Sequence, residues 1–359
     1  MSIYAIDVRW MVGEFRGMGR YAWQLVYPIK SKLTALGPAD TENINMKSHF
    51  VGKNFFPYWE QVVQPKLAKK NKTKYLICPY NTGPLFLSKN IKTVLVVHDL
   101  IYMKSFKELK LSISFYQTLG RLYRRFIVPK MINKADHIIT VSEYTKNEIL
   151  KKHSIPTTIT VIPNAISDEW LTHSFIPLDK RGNYFLTVTG EAPSKNLIRL
   201  LEAYSLYSQK SEENILLKIV GVKPTQQNKF RDIANKLKID KKVEFINYIS
   251  NSDLINLYGN AKGFIFASLF EGFGIPLLEA MATGTPIACS NTTSLPEVVG
   301  DCGYQFTPLS VVEISKAFIY LGSQSDKLKE NVDLGLERVK SYSEHQVNKK
   351  INEFWKKIQ

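Results

Sequence analysis

The chain has 359 residues, of which 44% are hydrophobic and 22% charged, enough for two cores of ordinary size rather than one. No apolar run approaches the ~18 residues of a membrane helix. Three scattered cysteines, Cys78, Cys289 and Cys302, exclude a disulfide framework or a thiolate metal site and point to reduced, buried thiols. The formal net charge of +16, from 48 Lys plus Arg against 32 Asp plus Glu, fits attraction to an anionic partner, and equally solubility with a lysine-rich composition bias. It does not choose among a nucleotide-linked substrate, an acidic membrane face and nucleic acid.

In chain order, the opening MSIYAIDVRW reads as a buried strand and lacks the basic start, apolar middle and cleavage site of a signal peptide. A helix is expected over GRYAWQLVYPIKSKL, strands over KYLICPY, KTVLVVHD and HIITVS, a helix over EYTKNEILKKH, and a closing strand in TITVIPNAI. The polar stretch SDEWLTHSFIPLDKRGN reads as a linker. A second series follows: strands in YFLTVTG, ILLKIVG, KVEFINYI, GFIFASL and PIACS, with helices over KNLIRLLEAYSLYSQK, near QQNKFRDIANKLKI, over SDLINLYGNA and after GFGIP. Short strands alternating with helices imply α/β with parallel sheets. The expected organisation is two doubly wound domains facing across a cleft, residues 1–172 and 173–340. A final helical region, 341–359, should pack back toward the first domain.

The stretch FEGFGIPLLEAMATGTP carries the most chemistry. Pro276 suits a first helical turn, Leu277, Leu278 and Met281 supply a buried stripe, and Gly284 with Pro286 ends the helix. The amides of Phe273, Gly274 and Ile275 then sit at a helix N-terminus, where glycine lets a phosphate approach the backbone. Glu271 precedes the turn and Glu279 lies about one helical turn beyond it. A molecule with an anionic middle and hydroxyl-rich ends, such as a nucleoside-diphosphate sugar, satisfies all three elements at once.

EGFGIPLLEAMATGTPI resembles the Glu-x7-Glu signature of retaining GT-B glycosyltransferases of family 4, and the similarity runs along most of the chain. RGMGRYAWQL resembles the first glycine loop and its helix, VVHDL the histidine strand end, and TVSEYTKNEI and VIPNAI blocks before the crossover. GEAPSKNLIRLLEAY resembles the basic phosphate loop, and SLPEVVGDCGYQFTP the stretch after the signature. The resemblance implies a GT-B fold of two Rossmann-like domains. It implies that Glu279 holds the donor's ribose, and that Glu271 contacts the transferred hexose. The amides of Phe273 to Ile275 would meet the diphosphate or sugar, and Lys195 would neutralise the leaving diphosphate. Gly17 and Gly19 would let the first loop close over the reacting groups. His98, at the carboxyl end of its strand, would hold a hexose hydroxyl or the acceptor, with Asp99 nearby; Arg20 and Asp99 are the acceptor-side candidates.

Many members carry Arg where this chain has Thr189, and a second basic residue where it has Ser194. Charge at the diphosphate therefore rests on Lys195, with Arg16, Arg20 or Lys223 as reserves from other loops. Thr189 is kept among the donor-side candidates, as are Asn247 and Tyr248, after the strand VEFI, for the base pocket. The chain contains no Asp-x-Asp pair, so no metal or other cofactor is expected.

The resemblance implies transfer with retention of anomeric configuration, and within the family the pattern is most like bacterial mannosyltransferases of O-antigen or capsule synthesis. GDP-mannose is the expected donor, with rhamnosyl, glucosyl or N-acetylglucosaminyl transfer as alternatives. The expected partners are the sugar nucleotide and a saccharide or polyprenyl-linked acceptor. Basic segments KSKL, PKLAKKNKTK and RLYRRFIVPK add an anionic membrane surface, which gives a cytoplasmic protein peripheral on the inner face of the plasma membrane. A sugar-nucleotide epimerase of the same shape would need further acid/base groups, and nucleic-acid binding would want basic and aromatic residues clustered on one face. No nucleic-acid partner is expected.

Overall fold

The structure, a computed structural model, describes residues 3–12, 17–41, 44–105, 115–155, 157–172, 176–323 and 325–358. The chain forms two compact units. Unit 1 comprises Met1–Ser105, Leu111–Asn164 and Val347–Gln359, and unit 2 is built on Ala165–Gln346.

Unit 1 holds β1 (Tyr4–Asp7), β2 (Leu33–Gly37), β3 (Ser48–Phe50), β4 (Tyr75–Cys78), β5 (Lys92–Val97), β6 (His137–Thr140) and β7 (Ile159–Val161). They form one parallel sheet in the order β3-β2-β1-β4-β5-β6-β7. Every residue of β1, β2 and β4 is buried, as expected of parallel strands covered on both faces. The helix expected over GRYAWQLVYPIKSKL is shorter: it spans Met18–Val26 and gives way to a tighter turn of helix at Tyr27–Lys32. Pro28 has no amide to continue the ladder, and Leu33 then enters β2, a strand the periodicity did not reveal.

The helix Glu344–Ile358 buries Val347, Ile351, Phe354, Trp355 and Ile358 along one stripe. Trp355 Nε1 donates to the Leu25 carbonyl at 2.7 Å, the Tyr75 hydroxyl donates to the Ile358 carbonyl, and the Tyr4 and Trp355 rings meet edge to face.

Unit 2 holds β8 (Tyr184–Val188), β9 (Leu216–Val220), β10 (Val243–Ile246), β11 (Gly263–Phe266), β12 (Ile287–Ser290) and β13 (Tyr304–Phe306). Its sheet is also parallel, in the order β10-β9-β8-β11-β12-β13. Its core is aromatic on one side, where Phe185 of β8, Tyr204 and Tyr207 of the helix Leu197–Lys210, and Phe318 of the helix Val311–Gly322 pack ring against ring. The three cysteines are free and buried.

Candidate functional site

In unit 2 the strand order reverses between β8 and β11, with β9 and β10 on one side and β12 and β13 on the other. Ligands of doubly wound sheets bind outside the carboxyl ends of the strands at such a reversal. Two loops leave those ends, residues 189–196 after β8 and 267–274 after β11. They are joined: the Leu269 amide donates to the Ser194 carbonyl at 2.7 Å. Lys195 Nζ, in one loop, donates to Glu271 Oε1, in the other, at 2.6 Å. Asn196, in the left-handed region at φ 61°, starts the helix Leu197–Lys210, and its amide group donates to the carbonyls of Ala267 and Pro308. The turn carrying Glu271 is held from behind. The Glu271 amide donates to Thr293 Oγ1 at 3.2 Å, and the Ser294 hydroxyl donates toward the carbonyls of Glu271 and Phe273, each 3.0 Å away.

Gly274 caps the helix Ile275–Ala282 at φ 109°, and a β-carbon there would lie 2.7 Å from Leu295 Cδ2. Glycine is therefore required twice, by its backbone and by its neighbour. The helix directs its first amides and the positive end of its dipole beside the Lys195–Glu271 pair. Pro276 occupies the first turn, and Leu277, Leu278 and Met281 are buried. Glu279 accepts a hydrogen bond from the hydroxyl of fully buried Tyr258 at 2.9 Å. Burial, and then the charge of Glu279, push the Tyr258 phenol well up, so it remains a donor.

The hydroxyls of Thr189 and Ser268, at the carboxyl ends of β8 and β11, are buried with no hydrogen-bond partner among the described residues. Such groups are costly unless a ligand or water completes them. Of the reserve cations, Lys223 pairs with Glu191 at 3.5 Å, and Arg16 lies outside the described residues. Asn247 accepts from buried Gln227 at 3.0 Å, and Tyr248 is exposed beside it after β10.

The remaining candidates belong to unit 1. His98 follows β5 and is buried. Its Nε2 lies 2.9 Å from the Pro79 carbonyl, which fixes the proton on Nε2 and leaves Nδ1 as the acceptor. Its amide donates to Asn81 Oδ1 at 2.6 Å. Burial lowers its pKa to about 4, so the ring is neutral at ordinary pH. Asp99 accepts from the Ile101 amide, closing a tight turn. Gly17, at φ 55°, caps the helix Met18–Val26; Gly19 is buried in its first turn and Arg20 is exposed. Tyr21, one residue on, places its ring edge to face against His98.

Sequence reasoning missed the groups that hold these residues. Thr293 and Tyr258 carry no motif signal of their own, and Ser294, although it opens the stretch SLPEVVGDCGYQFTP, was given no role there; their partners are distant along the chain. It also missed a buried cluster where unit 1 reverses, between β1 and β4. Arg9 pairs with Asp7, lies 3.6 Å from Glu60, and stacks over Phe56 and Trp59. Thr82 and Tyr123 donate to Glu60 at 2.6 and 2.5 Å.

Residues 69–170 match the description Glycosyltransferase Family 4, and residues 168–333 match Glycosyl transferases group 1. The O-antigen chain mannosyltransferase B of Escherichia coli is 32% identical over 222 residues, 59% of this chain and 58% of that protein. The O-antigen chain mannosyltransferase RfbU of Salmonella typhimurium is 28% identical over 246 residues, 68% of this chain and 63% of that one. The matches thus span less than two thirds of either relative. Among solved structures, Anabaena Alr3699/HepE in complex with UDP-glucose shares the fold with a TM-score of 0.76 at 13% identity, over 99% of each chain. Together the two family matches cover residues 69–333, from β4 to β13, and the chain is a glycosyltransferase of the GT-B fold, similar to family 4.

Proposed function

We propose that this protein transfers a mannosyl group from GDP-mannose, with retention of configuration and without a metal, to a saccharide or polyprenyl-linked acceptor of bacterial surface polysaccharide. The names of the relatives support the sugar and the pathway. The observation that carries the reading is the Lys195–Glu271 pair beside the Gly274-capped helix at the strand reversal of unit 2.

Leaving-group departure from a glycosyl phosphate puts negative charge on the diphosphate, and an oxocarbenium-like centre forms at the sugar. The helix N-terminus and Lys195 are suited to the first, and the Glu271 carboxylate to the second. Before the donor arrives the two side chains neutralise each other, so each is already oriented. Donor diphosphate then takes over Lys195 and releases Glu271 to accept hydrogen bonds from the hexose. Glu279, aligned by Tyr258, accepts from the ribose hydroxyls. Asn247 and Tyr248 border the base, and the Thr189 hydroxyl is a donor available at the diphosphate. On the acceptor side, neutral His98 accepts a hydrogen bond at Nδ1 from a hydroxyl of the hexose or acceptor, with Arg20 and Asp99 flanking the acceptor. The basic surplus supports an acceptor that sits in an anionic membrane, with the enzyme peripheral to it.

The test is a panel of sugar nucleotides read by thermal shift and by nucleotide release, with Glu271→Ala and Glu279→Ala alongside. GDP-mannose is expected to raise the melting temperature most and to be turned over, with both variants impaired. A preference for a UDP-sugar would overturn the donor assignment. Full binding and turnover in both variants would overturn the site.

A further inference from the structure

The helix Phe115–Lys134 of unit 1 carries Arg121, Arg124, Arg125, Lys130 and Lys134 and no acidic residue. Its inner side is built into the protein: Ile127, Val128, Met131 and Ile132 are buried, and Arg121 and Arg125 donate to the Lys104 carbonyl at 2.6 and 2.9 Å. Its outer side is not what a surface helix should show. Leu119, Leu122 and Phe126 follow at intervals of three and four residues, so they share one face, and they are 47%, 48% and 58% exposed.

Two neighbouring segments extend that face. Gln61 donates to the Gly83 carbonyl at 3.0 Å and to the Tyr123 hydroxyl at 2.8 Å, and accepts from the Leu85 amide at 2.9 Å. The Phe56 and Tyr123 rings pack edge to face. The loop at Gly83–Leu85 and the turn at Phe56 are thereby fixed alongside the helix. One presents Phe86, 80% exposed, and the other presents exposed Phe55 and Tyr58. Cations cover the rings: Lys130 Nζ lies 3.3 Å from the centre of Phe126, and Lys134 Nζ 5.6 Å from that of Phe86. From Gln61 to His98 the sequence has no Asp or Glu, and Glu60 beside it is buried.

We propose that this face, with Leu119, Leu122, Phe126 and Phe86 at its middle and Lys130 and Lys134 at its rim, docks unit 1 on an anionic lipid bilayer. The inference rests on the membrane-borne acceptor of the proposed function and names the surface that meets the membrane. Apolar side chains in the centre with cations around them match the boundary between acyl chains and anionic headgroups. Nucleic acid would put its phosphates against the apolar middle, and a second copy would bring two cationic rims together. No helix among the described residues is long and apolar enough to cross a membrane, so the helix lies along the surface.

The experiment is co-sedimentation with vesicles of phosphatidylcholine alone or with about one third phosphatidylglycerol, a content that gives a strongly negative surface potential. Three proteins are compared: the wild type, Leu122→Ala/Phe126→Ala, and Lys69→Gln/Lys70→Gln, the last removing exposed charge elsewhere in unit 1. The wild type should partition only to the anionic vesicles and weaken as salt rises. The Leu122/Phe126 variant should lose about tenfold or more at unchanged net charge, and the lysine variant much less. Transfer to a lipid-free acceptor should be equal in all three, which controls for folding. Equal partition of the Leu122/Phe126 variant would overturn this face and leave the membrane-borne acceptor standing. A wild type that ignores anionic vesicles at low salt would overturn both, with transfer to the lipid-free acceptor untouched. A concentration-dependent dimer abolished by the same substitutions would assign the face to a second copy and overturn the proposal.

Discussion

Gly274 joins backbone strain to the chemistry of the turn. Its φ of 109° is open to glycine, and the nearest side chain, Leu295, leaves no room for a methyl group. Gly274→Ala should therefore destabilise unit 2 by about 1–3 kcal/mol, the range for a residue held in a sparsely populated conformation with a clash added. Urea unfolding checks this, and an unchanged midpoint would contradict it. The Lys195–Glu271 pair behaves in the opposite way. Both side chains are partly open to solvent, so Lys195→Ala should change stability by less than about 1 kcal/mol while lowering turnover by about 100-fold or more. Stability and activity measured on one preparation separate the two effects.

At the scale of elements, the helix Glu344–Ile358 completes a sheet made some 300 residues earlier in the chain, the separation between Trp355 and Leu25 being 330. Trp355 is buried against Tyr4 and hydrogen-bonded to a helix terminus. Trp355→Ala should cost about 3–5 kcal/mol, as large aromatic deletions in cores do. Because Trp355 and its partners Tyr4 and Leu25 belong to unit 1, the unit 1 transition should fall in differential scanning calorimetry while the unit 2 transition stays in place. A shift confined to unit 2 would be the contrary result. The helical character of this segment was legible in the sequence, whereas β2, β3 and β13 were not. LTALG, SHF and YQF are too short or too mixed in polarity to show a period of two, and only pairing with a neighbouring strand makes them strands.

For the molecule as a whole, the alternation of strands and helices made the two parallel sheets legible, and the Glu-x7-Glu stretch made the chemistry legible. Lys195 and Glu271 could each be picked out, but not their contact, because nothing in a linear pattern ties residues 76 apart. The same limit hid Tyr258 behind Glu279 and the Arg9–Glu60 cluster, both products of packing. Acid stability is likewise a property of the folded whole. His98 falls from 6.5 to about 4 on burial, so the unfolded chain binds its proton more readily. Its contribution, on the order of 3 kcal/mol, is complete above pH 6.5 and is lost as pH falls toward 4. Glu60 acts the other way, since burial raises its pKa and favours the protonated fold. The unit 1 midpoint should still decline between pH 6.5 and 4.5, and His98→Gln should flatten that decline. An identical slope in the variant would assign it to other groups.

The passage of the chain from unit 1 into unit 2 and back carries a consequence for biosynthesis. A ribosome makes β1 to β7 first, yet Tyr4, Leu25 and Tyr75 have no Trp355 or Ile358 to cover them until unit 2 has been made. Domains folding in order of synthesis would therefore finish unit 2 before unit 1. The half begun first would spend the interval with an open flank, a target for chaperones that the finished protein does not show.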